Sequence, residues 1–247
     1  GHGDLTYLKK YGIRDHRGGG RASARETVAR VAAGAVARKL LAAENISVIA
    51  YTVAMGEVTT GKRNMADIAT NRLYCPDSEA AARMEELIDS VRKKGDSLGG
   101  VVEIMATGCP VGLGEPVFDK LDAVLAQALM SIGAVKGVEI GAGFRAPELL
   151  GSQNNDAITP EGYRSNNAGG ILAGISNGDA LIARVAVKPI PSISLEQDTL
   201  NLDNEPVKIR VGGRHDISAI PRIIPVCEAM FCLTLADHLL RQKANAA

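Results

Sequence analysis

The spacing of apolar residues along this chain predicts an alternation of helices and strands. Apolar positions recur with helical spacing and predict four helices, at residues 24–43, 79–94, 119–132 and 225–241. Alternating or β-branched runs predict strands at residues 47–55, 100–107, 135–140 and 207–211. Because the two kinds of segment are interleaved, we expect helices and strands to share one core.

Turn signals refine this pattern. Two apolar runs, residues 170–175 and 180–187, flank Asn177-Gly178, and Asn-Gly between such runs predicts a β-hairpin. Gly95 predicts the end of the second helix. Pro225 predicts the start of the last helix, because proline is favoured at the first helical position.

The remaining segments are rich in glycine, proline and polar residues, and we predict them to be loops. They are residues 1–22, 56–78, 108–116 and 141–168. A connection as long as the last of these is usually functional or mobile.

Hairpin-like strands with long helices between them favour an α+β fold over a parallel, doubly wound sheet. The sequence shows no internal repeat and no low-complexity linker, so residues 1–247 are treated as one domain. Apolar residues make up 46% of the chain, enough for a full core.

Charge and aromatic content narrow the function. Lys+Arg and Asp+Glu number 28 each, so the net charge is zero, which argues against a general nucleic-acid binder. Aromatic residues are only 3% of the chain, which argues against a stacking platform for single strands. An anion site in this protein must therefore be a local cluster of cations.

The four cysteines show neither zinc spacing nor a Cys-x-x-Cys pair, so we expect no metal site and a reducing cytoplasm. No stretch is expected to be long and apolar enough to span a membrane, and no secretory signal is present.

Residues 17–27, RGGGRASARET, place three glycines and three arginines at the start of the first predicted helix. Ser23 precedes Glu26 by three residues, which predicts a capping box. The free N–H groups and the dipole of such a helix start favour an anion, and arginine suits phosphate or carboxylate. The alternative is an ordinary helix cap with solvated arginines. The combination favours the anion site.

A second cluster, Arg214-His215-Asp216, follows Gly212-Gly213 after a predicted strand. A carboxylate beside an imidazole and a guanidinium is a common acid–base arrangement. On the residues alone, a surface salt bridge at a strand end is an equal alternative. His2 has no apolar neighbours, and His238, beside Asp237, is expected on a helix surface or at an interface.

Several motifs, in order along the whole chain, together resemble chorismate synthase. They are GHGD at 1–4, KYGIRD at 10–15, GGGRASARET at 18–27, GLGEP at 112–116, SNNAGG at 165–170 and GRHD at 213–216. The resemblance implies helices sandwiched between antiparallel β-sheets, assembled as a homotetramer. It also implies the formation of chorismate from 5-enolpyruvylshikimate 3-phosphate, with reduced flavin mononucleotide (FMN) and no net redox change.

The resemblance also assigns roles to individual residues. His2 matches a histidine that protonates the reduced flavin, Ser23 a serine of the catalytic centre, and Asp216 a carboxylate that serves proton removal at substrate C6. Arg25 and Arg214 match substrate-binding arginines. The implied FMN contacts are Arg21, Ala22, Ser23, Gly133, Ala134, Ala173, Lys188, Pro189, Ile190, Pro191, Ser192 and Arg214.

This chain departs from the family pattern at some of these positions. Ala22 stands where serine is common and Gly133 where asparagine is common, so side-chain contacts are lost while backbone contacts can remain. Ala173 replaces a frequent glycine. Ile217 replaces a frequent proline, which leaves Asp216 untouched.

The family begins with a Gly-Glu-Ser-His-Gly segment that carries a second catalytic histidine, and nothing here matches it. We therefore expect a domain truncated at its N-terminus and at its C-terminus, and without activity on its own. The alternatives are a flavin- or phosphate-binding core and a structural core that mainly assembles. A flavin reductase activity that uses NADPH or NADH, found in some members, is left open.

Overall fold

A computed structural model describes residues 2–245, in which a five-stranded antiparallel sheet carries helices on one face. The helices are α1 Asp4–Tyr11, α2 Thr27–Ala43, α3 Ser78–Lys94, α4 Leu121–Met130, α5 Gly151–Asn154 and α6 Ile220–Asn245. Short 3-10 helices occupy Gly20–Ala22, Ala24–Glu26, Met65–Thr70 and Gly143–Glu148.

Eleven strands form one large sheet and three small ones in this part of the chain. They are β1 Ser47–Met55, β2 Val58–Thr59, β3 Gly100–Thr107, β4 Val135–Ile140, β5 Ile158–Thr159, β6 Gly162–Tyr163, β7 Ile171–Leu172, β8 Ile175–Ser176, β9 Leu181–Val187, β10 Gln197–Leu200 and β11 Pro206–Ile209. The large sheet has the order β2-β1-β3-β9-β4, with every neighbouring pair antiparallel. The other sheets are the pairs β5–β6, β7–β8 and β10–β11.

Side chains alternate between the two faces of the large sheet. On β3, Val102, Ile104 and Ala106 are fully buried in the main core beneath the helices. Glu103 lies between them in sequence and so points to the opposite face, where a small cluster of Tyr51, Val53 and Ile68 packs.

The helix layer is built around α6, which packs along α2 and also against α4 and β1. Gly34 of α2 meets Ala229 of α6 so closely that a Cβ at Gly34 would lie 2.4 Å from the Ala229 Cβ. On α4, Leu121, Leu125 and Leu129 are fully buried at helical spacing. These contacts hold the helices flat against one sheet face.

The structure confirms the α+β class and most of the predicted elements. The strands Ser47–Met55, Gly100–Thr107 and Val135–Ile140 have the predicted bounds. Helix α3 runs from Ser78 to Lys94, and Gly95 ends it in the left-handed conformation, with φ 73°.

Residues 1–22, predicted as mostly loop, contain the helix Asp4–Tyr11, which ends at Gly12. The helix has only eight residues and lies between Gly3 and Gly12 in a charged segment, so the composition favoured a loop.

The predicted hairpin across Asn177-Gly178 was also wrong. Strand β9 pairs with β3 and β4 in the large sheet, whereas β8 pairs back onto β7. In the large sheet β9 buries Leu181, Ala183, Val185 and Val187, and this packing outweighs the local turn preference.

Two predicted helix starts differ from the structure. Helix α6 begins at Ile220, so Pro225 lies inside it and not at its first position. The Ser23 hydroxyl accepts the Arg25 N–H at 3.3 Å and caps the 3-10 helix Ala24–Glu26. The predicted capping box does not form, because the Glu26 carboxylate pairs with Arg30 at 3.0 Å instead.

Within residues 2–245, α6 is long and apolar enough to cross a membrane by length and composition alone, with a mean hydropathy of 1.6. The expectation that no stretch would qualify was therefore wrong. The apolar window of α6 is 67% buried inside the fold, and core helices pass the same test.

Candidate functional site

Three strand ends meet at one end of the large sheet and bring together predicted site residues that are far apart in sequence. Val187, the last residue of β9, pairs with both Gly100 and Val135. The next residue, Lys188, donates its N–H to the Ala134 carbonyl at 2.9 Å. The Lys188 Nζ lies 3.4 Å from the Nε2 of His2.

The start of α2 is tied to the same region through Arg30. Its guanidinium donates to the Ser131 hydroxyl at 2.7 Å, two residues before Gly133. The helix start that follows the glycine run therefore lies near the Gly133-Ala134 turn, where Ala134 has a φ of 76°.

The arginines of the glycine-rich segment fall into two groups. Arg17 is bound by Asp15 through both carboxylate oxygens, and this lowers the pKa of Asp15 to about 2. Arg21 and Arg25 are exposed, and neither guanidinium has a partner within the described part of the chain. These two arginines, and not Arg17, are the cations available to an anion.

The cluster 214–216 reaches this end of the sheet through the chain that precedes β3. The Leu98 N–H donates to the Ile217 carbonyl at 2.7 Å. Its neighbour Ser97 donates its hydroxyl to the Ile190 carbonyl at 2.6 Å. Residues 188–192 and 213–218 thus both contact the segment 97–98.

Asp216 faces a cavity of about 260 Å³ and carries an ion pair. Its Oδ1 accepts from the Arg222 guanidinium at 3.0 Å. The residues that line the cavity are Ile88, Arg92, His215, Asp216, Ile217, Ser218, Pro221 and Arg222. His215 is held by a contact of 2.9 Å between its Nε2 and the Val211 carbonyl, so it is not free to act as a base through that atom.

Sequence reasoning missed Arg92 and Arg222, which both line this cavity. Arg92 lies in the last turn of α3, where a basic residue is explained by the helix dipole alone. Arg222 follows the Arg-His-Asp cluster by a few residues, and only the unexpected start of α6 at Ile220 turns it back toward Asp216.

Ala173 is the predicted site residue that the structure places apart. It lies in the turn between β7 and β8 with a φ of 53°. The neighbouring Gly174 carbonyl accepts from Leu121, the first residue of α4. Helix α4 has 10 residues and leads to Ser131, so roughly 15 Å of helix separates Ala173 from the Gly133-Ala134 turn.

The charge state of His2 follows from its surroundings. Partial burial lowers the pKa of His2, and the nearby Lys188 ammonium lowers it further. His2 is therefore a neutral imidazole at neutral pH, and it can accept a proton from an acidic group and pass it on.

Within residues 2–245, no group of three or more His, Cys, Asp or Glu side chains is placed to hold a metal ion. The cysteines Cys75, Cys109, Cys227 and Cys232 are all buried free thiols. Burial raises the pKa of Cys109 and of Cys227 to about 12, so both are inert thiols at neutral pH.

This end of the α+β fold suits a small, highly anionic ligand. It offers arginines without protein partners in the described chain, a lysine beside an imidazole, and a carboxylate that lines a polar cavity. Comparisons with known proteins identify the family. A model of the chorismate synthase family matches residues 1–240, and the chain belongs to this family.

Individual relatives agree with the family match. The chain is 64% identical over 240 residues to the chorismate synthase of Syntrophobacter fumaroxidans, covering 97% of this chain and 68% of that protein. It is 63% identical over 244 residues to that of Desulfosudis oleivorans, covering 99% and 69%. A crystal structure of chorismate synthase superposes with a TM-score of 0.79 at 35% identity, covering 97% of this chain and 70% of that one.

Proposed function

We propose that the protein converts 5-enolpyruvylshikimate 3-phosphate to chorismate. The reaction is a 1,4-elimination in which a C6 proton is lost and phosphate leaves, with no net redox change. Family membership supports this assignment. The observation that carries it is the convergence of His2, Ala134 and Lys188 at one end of the sheet, next to the segment that bears Asp216.

The donor set at this end of the sheet fits reduced FMN. Lys188 and Arg21 are cations suited to its phosphate, and the glycine-rich backbone gives close approach. We assign the cofactor to Arg21, Ala22, Ser23, Gly133, Ala134, Lys188, Pro189, Ile190, Pro191, Ser192 and Arg214. The contact assigned to Ala173 by resemblance stays a prediction, because Ala173 lies at the far end of α4. When bound, the flavin supplies an electron transiently and recovers it.

The chain's own residues bind, orient and move protons. Arg25 and Arg214 are proposed to hold the anionic substrate. Their positive charges would neutralise its anionic groups in the cleft and so stabilise the leaving phosphate electrostatically. Asp216 is proposed to accept the C6 proton. The Ser23 oxygen accepts the Arg25 N–H, which leaves its hydroxyl hydrogen free to donate in the centre. His2 is proposed to hold a proton beside the cofactor.

The test is Asp216→Asn, which removes the proton acceptor and nearly preserves shape. We expect turnover to fall by about 10²–10⁴-fold while substrate affinity changes little, because general bases contribute that much. The measurement is an anaerobic assay of chorismate formation with reduced FMN. Asp203→Asn, an exposed aspartate between β10 and β11, is the control and should keep full turnover. A turnover for Asp216→Asn within a few-fold of the parent would remove Asp216 from the mechanism.

The chain spans 68–70% of the length of these relatives. A second candidate function is compared with the first in the same experiment. It is a core that binds flavin and phosphate without turnover. The same assay, paired with an anaerobic FMN titration, separates the two. Binding of reduced FMN with no chorismate formed supports the second candidate.

The oligomeric state, the cellular location and the class of partner are also proposals. Assembly as a homotetramer follows from the family resemblance. Four free thiols support a reducing cytoplasm. A net charge of zero supports a small-molecule substrate and not a nucleic acid.

A further inference from the structure

A polar row crosses the sheet face that lies opposite the helices. Tyr51 on β1 pairs with Glu103 on β3, Glu103 pairs with Arg184 on β9, and Arg184 pairs with Glu139 on β4. Four adjacent strands thus place a tyrosine, a glutamate, an arginine and a second glutamate in one row across the sheet. Above this row is a cavity of about 210 Å³.

Three arginines from different parts of the chain line this cavity. Arg184 rises from the sheet, Arg63 comes from the connection between β2 and α3, and Arg145 comes from the 3-10 helix Gly143–Glu148. The other lining residues are Glu103, Gly141, Ala142, Asn166, Asn167 and Ile182. None of them belongs to the proposed active site.

Both carboxylates of the row are already satisfied. Glu103 is 2% exposed, accepts from the Tyr51 hydroxyl at 2.6 Å, and forms a two-pronged pair with Arg63. Glu139 pairs with the Arg184 Nε at 3.2 Å and accepts the Phe144 N–H at 2.9 Å. Neither acid therefore cancels the charge of Arg145, whose guanidinium has no partner among residues 2–245.

The arginines keep donors that face no protein acceptor in the described chain. Arg63 uses Nη1 and Nη2 on Glu103, which leaves its Nε–H. Arg184 uses Nε on Glu139 and Nη2 on the Gly141 carbonyl, which leaves Nη1. Together with the whole fork of Arg145, these unused donors come from three separate segments that line one cavity, and several guanidinium donors suit a phosphate oxyanion.

From this arrangement we propose that the cavity over Glu103 and Arg184 is a second anion site that binds a phosphate group. Its volume equals that of about seven water molecules, so a phosphate with a few further atoms fits. The site is distinct from that of the proposed elimination, because none of its lining residues is assigned to that centre.

The experiment titrates the protein with inorganic phosphate by calorimetry, at constant ionic strength and in a buffer without other oxyanions. All variants carry Arg214→Ala, which weakens binding at the proposed active site. In this background we expect Arg145→Ala to weaken phosphate binding by about tenfold or more, since charged hydrogen bonds contribute that much. Arg145→Lys keeps the positive charge but loses the forked guanidinium. Its phosphate affinity should lie between those of the Arg214→Ala background and of the Arg145→Ala variant. The matched control is Arg83→Ala, at an exposed arginine of α3 outside the cavity. Its phosphate affinity should stay within twofold of that of the Arg214→Ala background.

Three results would overturn the proposal. They are no phosphate binding in the Arg214→Ala background, equal affinity after Arg145→Ala, and a change of oligomeric state in Arg145→Ala seen by sedimentation. The last result would make the cavity a contact between copies of the chain. Chorismate formation by Arg145→Ala alone is expected to match the parent, so a failure here is distinguishable from a failure of the proposed function.

Discussion

His238 is the residue whose placement differs most from its predicted surroundings. Expected on a helix surface or at an interface, it is 1% exposed inside the helix layer. Neither ring nitrogen has a hydrogen-bond partner in the described residues. A buried polar group without partners costs folding free energy, by about 1–3 kcal/mol. His238 is therefore a point where the core is not optimised for stability.

The same burial makes His238 a source of pH dependence. Burial lowers the pKa of His238, and the Arg241 guanidinium lowers it further, against weaker opposing effects of Asp237, Glu115 and Asp119. Because the folded-state pKa lies below the unfolded value of 6.5, the unfolded chain takes up the proton first. Stability is full above that value and falls as the pH drops below it.

We expect His238→Leu to raise the free energy of unfolding by about 1 kcal/mol at pH 6, since leucine fills a similar volume without unpaired nitrogens. The variant should also lose part of the decline in stability between pH 7 and pH 5.5. Urea unfolding across this range is the measurement, and His16→Gln, at an exposed position, is the control. An unchanged pH slope in His238→Leu would assign the decline to other groups.

At single positions, the sequence could single out candidate site residues but not the residues that lie next to them. The glycine-rich segment stood out because three glycines and three arginines precede a helix, and 214–216 because arginine, histidine and aspartate adjoin. Arg92 and Arg222 could not, because each has an ordinary local explanation at a helix end. That both line the cavity of Asp216 depends on how α3 and α6 are placed in the fold, which no local pattern encodes.

Elements were predictable where a single strand or helix carries its own periodicity. Strands β1, β3 and β4 are runs rich in apolar and β-branched residues, so their bounds followed from the sequence. The pairing of β9 could not be predicted from the sequence. Whether β9 pairs with β8 or with β3 depends on side chains buried by segments that are distant in sequence. Helix α1 was missed because it is only eight residues long and is flanked by glycines in a charged segment.

The contact of α2 with α6 offers a prediction at the scale of elements. We expect Gly34→Ala to destabilise the protein by about 1–3 kcal/mol, because the added methyl overpacks the helix crossing. Its Cβ would lie 2.6 Å from the Ala229 Cα, a backbone atom that cannot turn away. This cost exceeds the gain of about 0.5–1 kcal/mol in helix propensity.

The matched control is Gly151→Ala, where an added Cβ meets nothing within 4 Å. Thermal and urea unfolding of both variants is the measurement. If Gly34→Ala proved as stable as the parent, α2 and α6 would be free to move apart, and the close crossing would not be a constraint of the fold.

At the scale of the whole molecule, stability is expected to differ between the large sheet and the peripheral hairpins. Strand β3 is central, flanked by β1 and β9, and three of its residues have no exposure at all. The hairpin of β10 and β11 pairs only with itself and has no buried residue. An isolated two-stranded hairpin is marginally stable in water. Opening of this hairpin should therefore not require the core to unfold.

We expect amide hydrogens of residues 197–209 to exchange at least about a hundredfold faster than those of residues 100–107. The control is the β7–β8 hairpin, whose strands are shorter still, at two residues each, but which is held in place by Ser176. The Ser176 N–H donates to the Leu113 carbonyl at 2.8 Å, and its hydroxyl donates to the Pro110 carbonyl at 2.6 Å. Peptides covering β7–β8 should therefore stay protected in hydrogen–deuterium exchange. Equal protection of 197–209 and 100–107 would mean that the β10–β11 hairpin is held by contacts beyond the chain described, such as a neighbouring copy or a bound ligand.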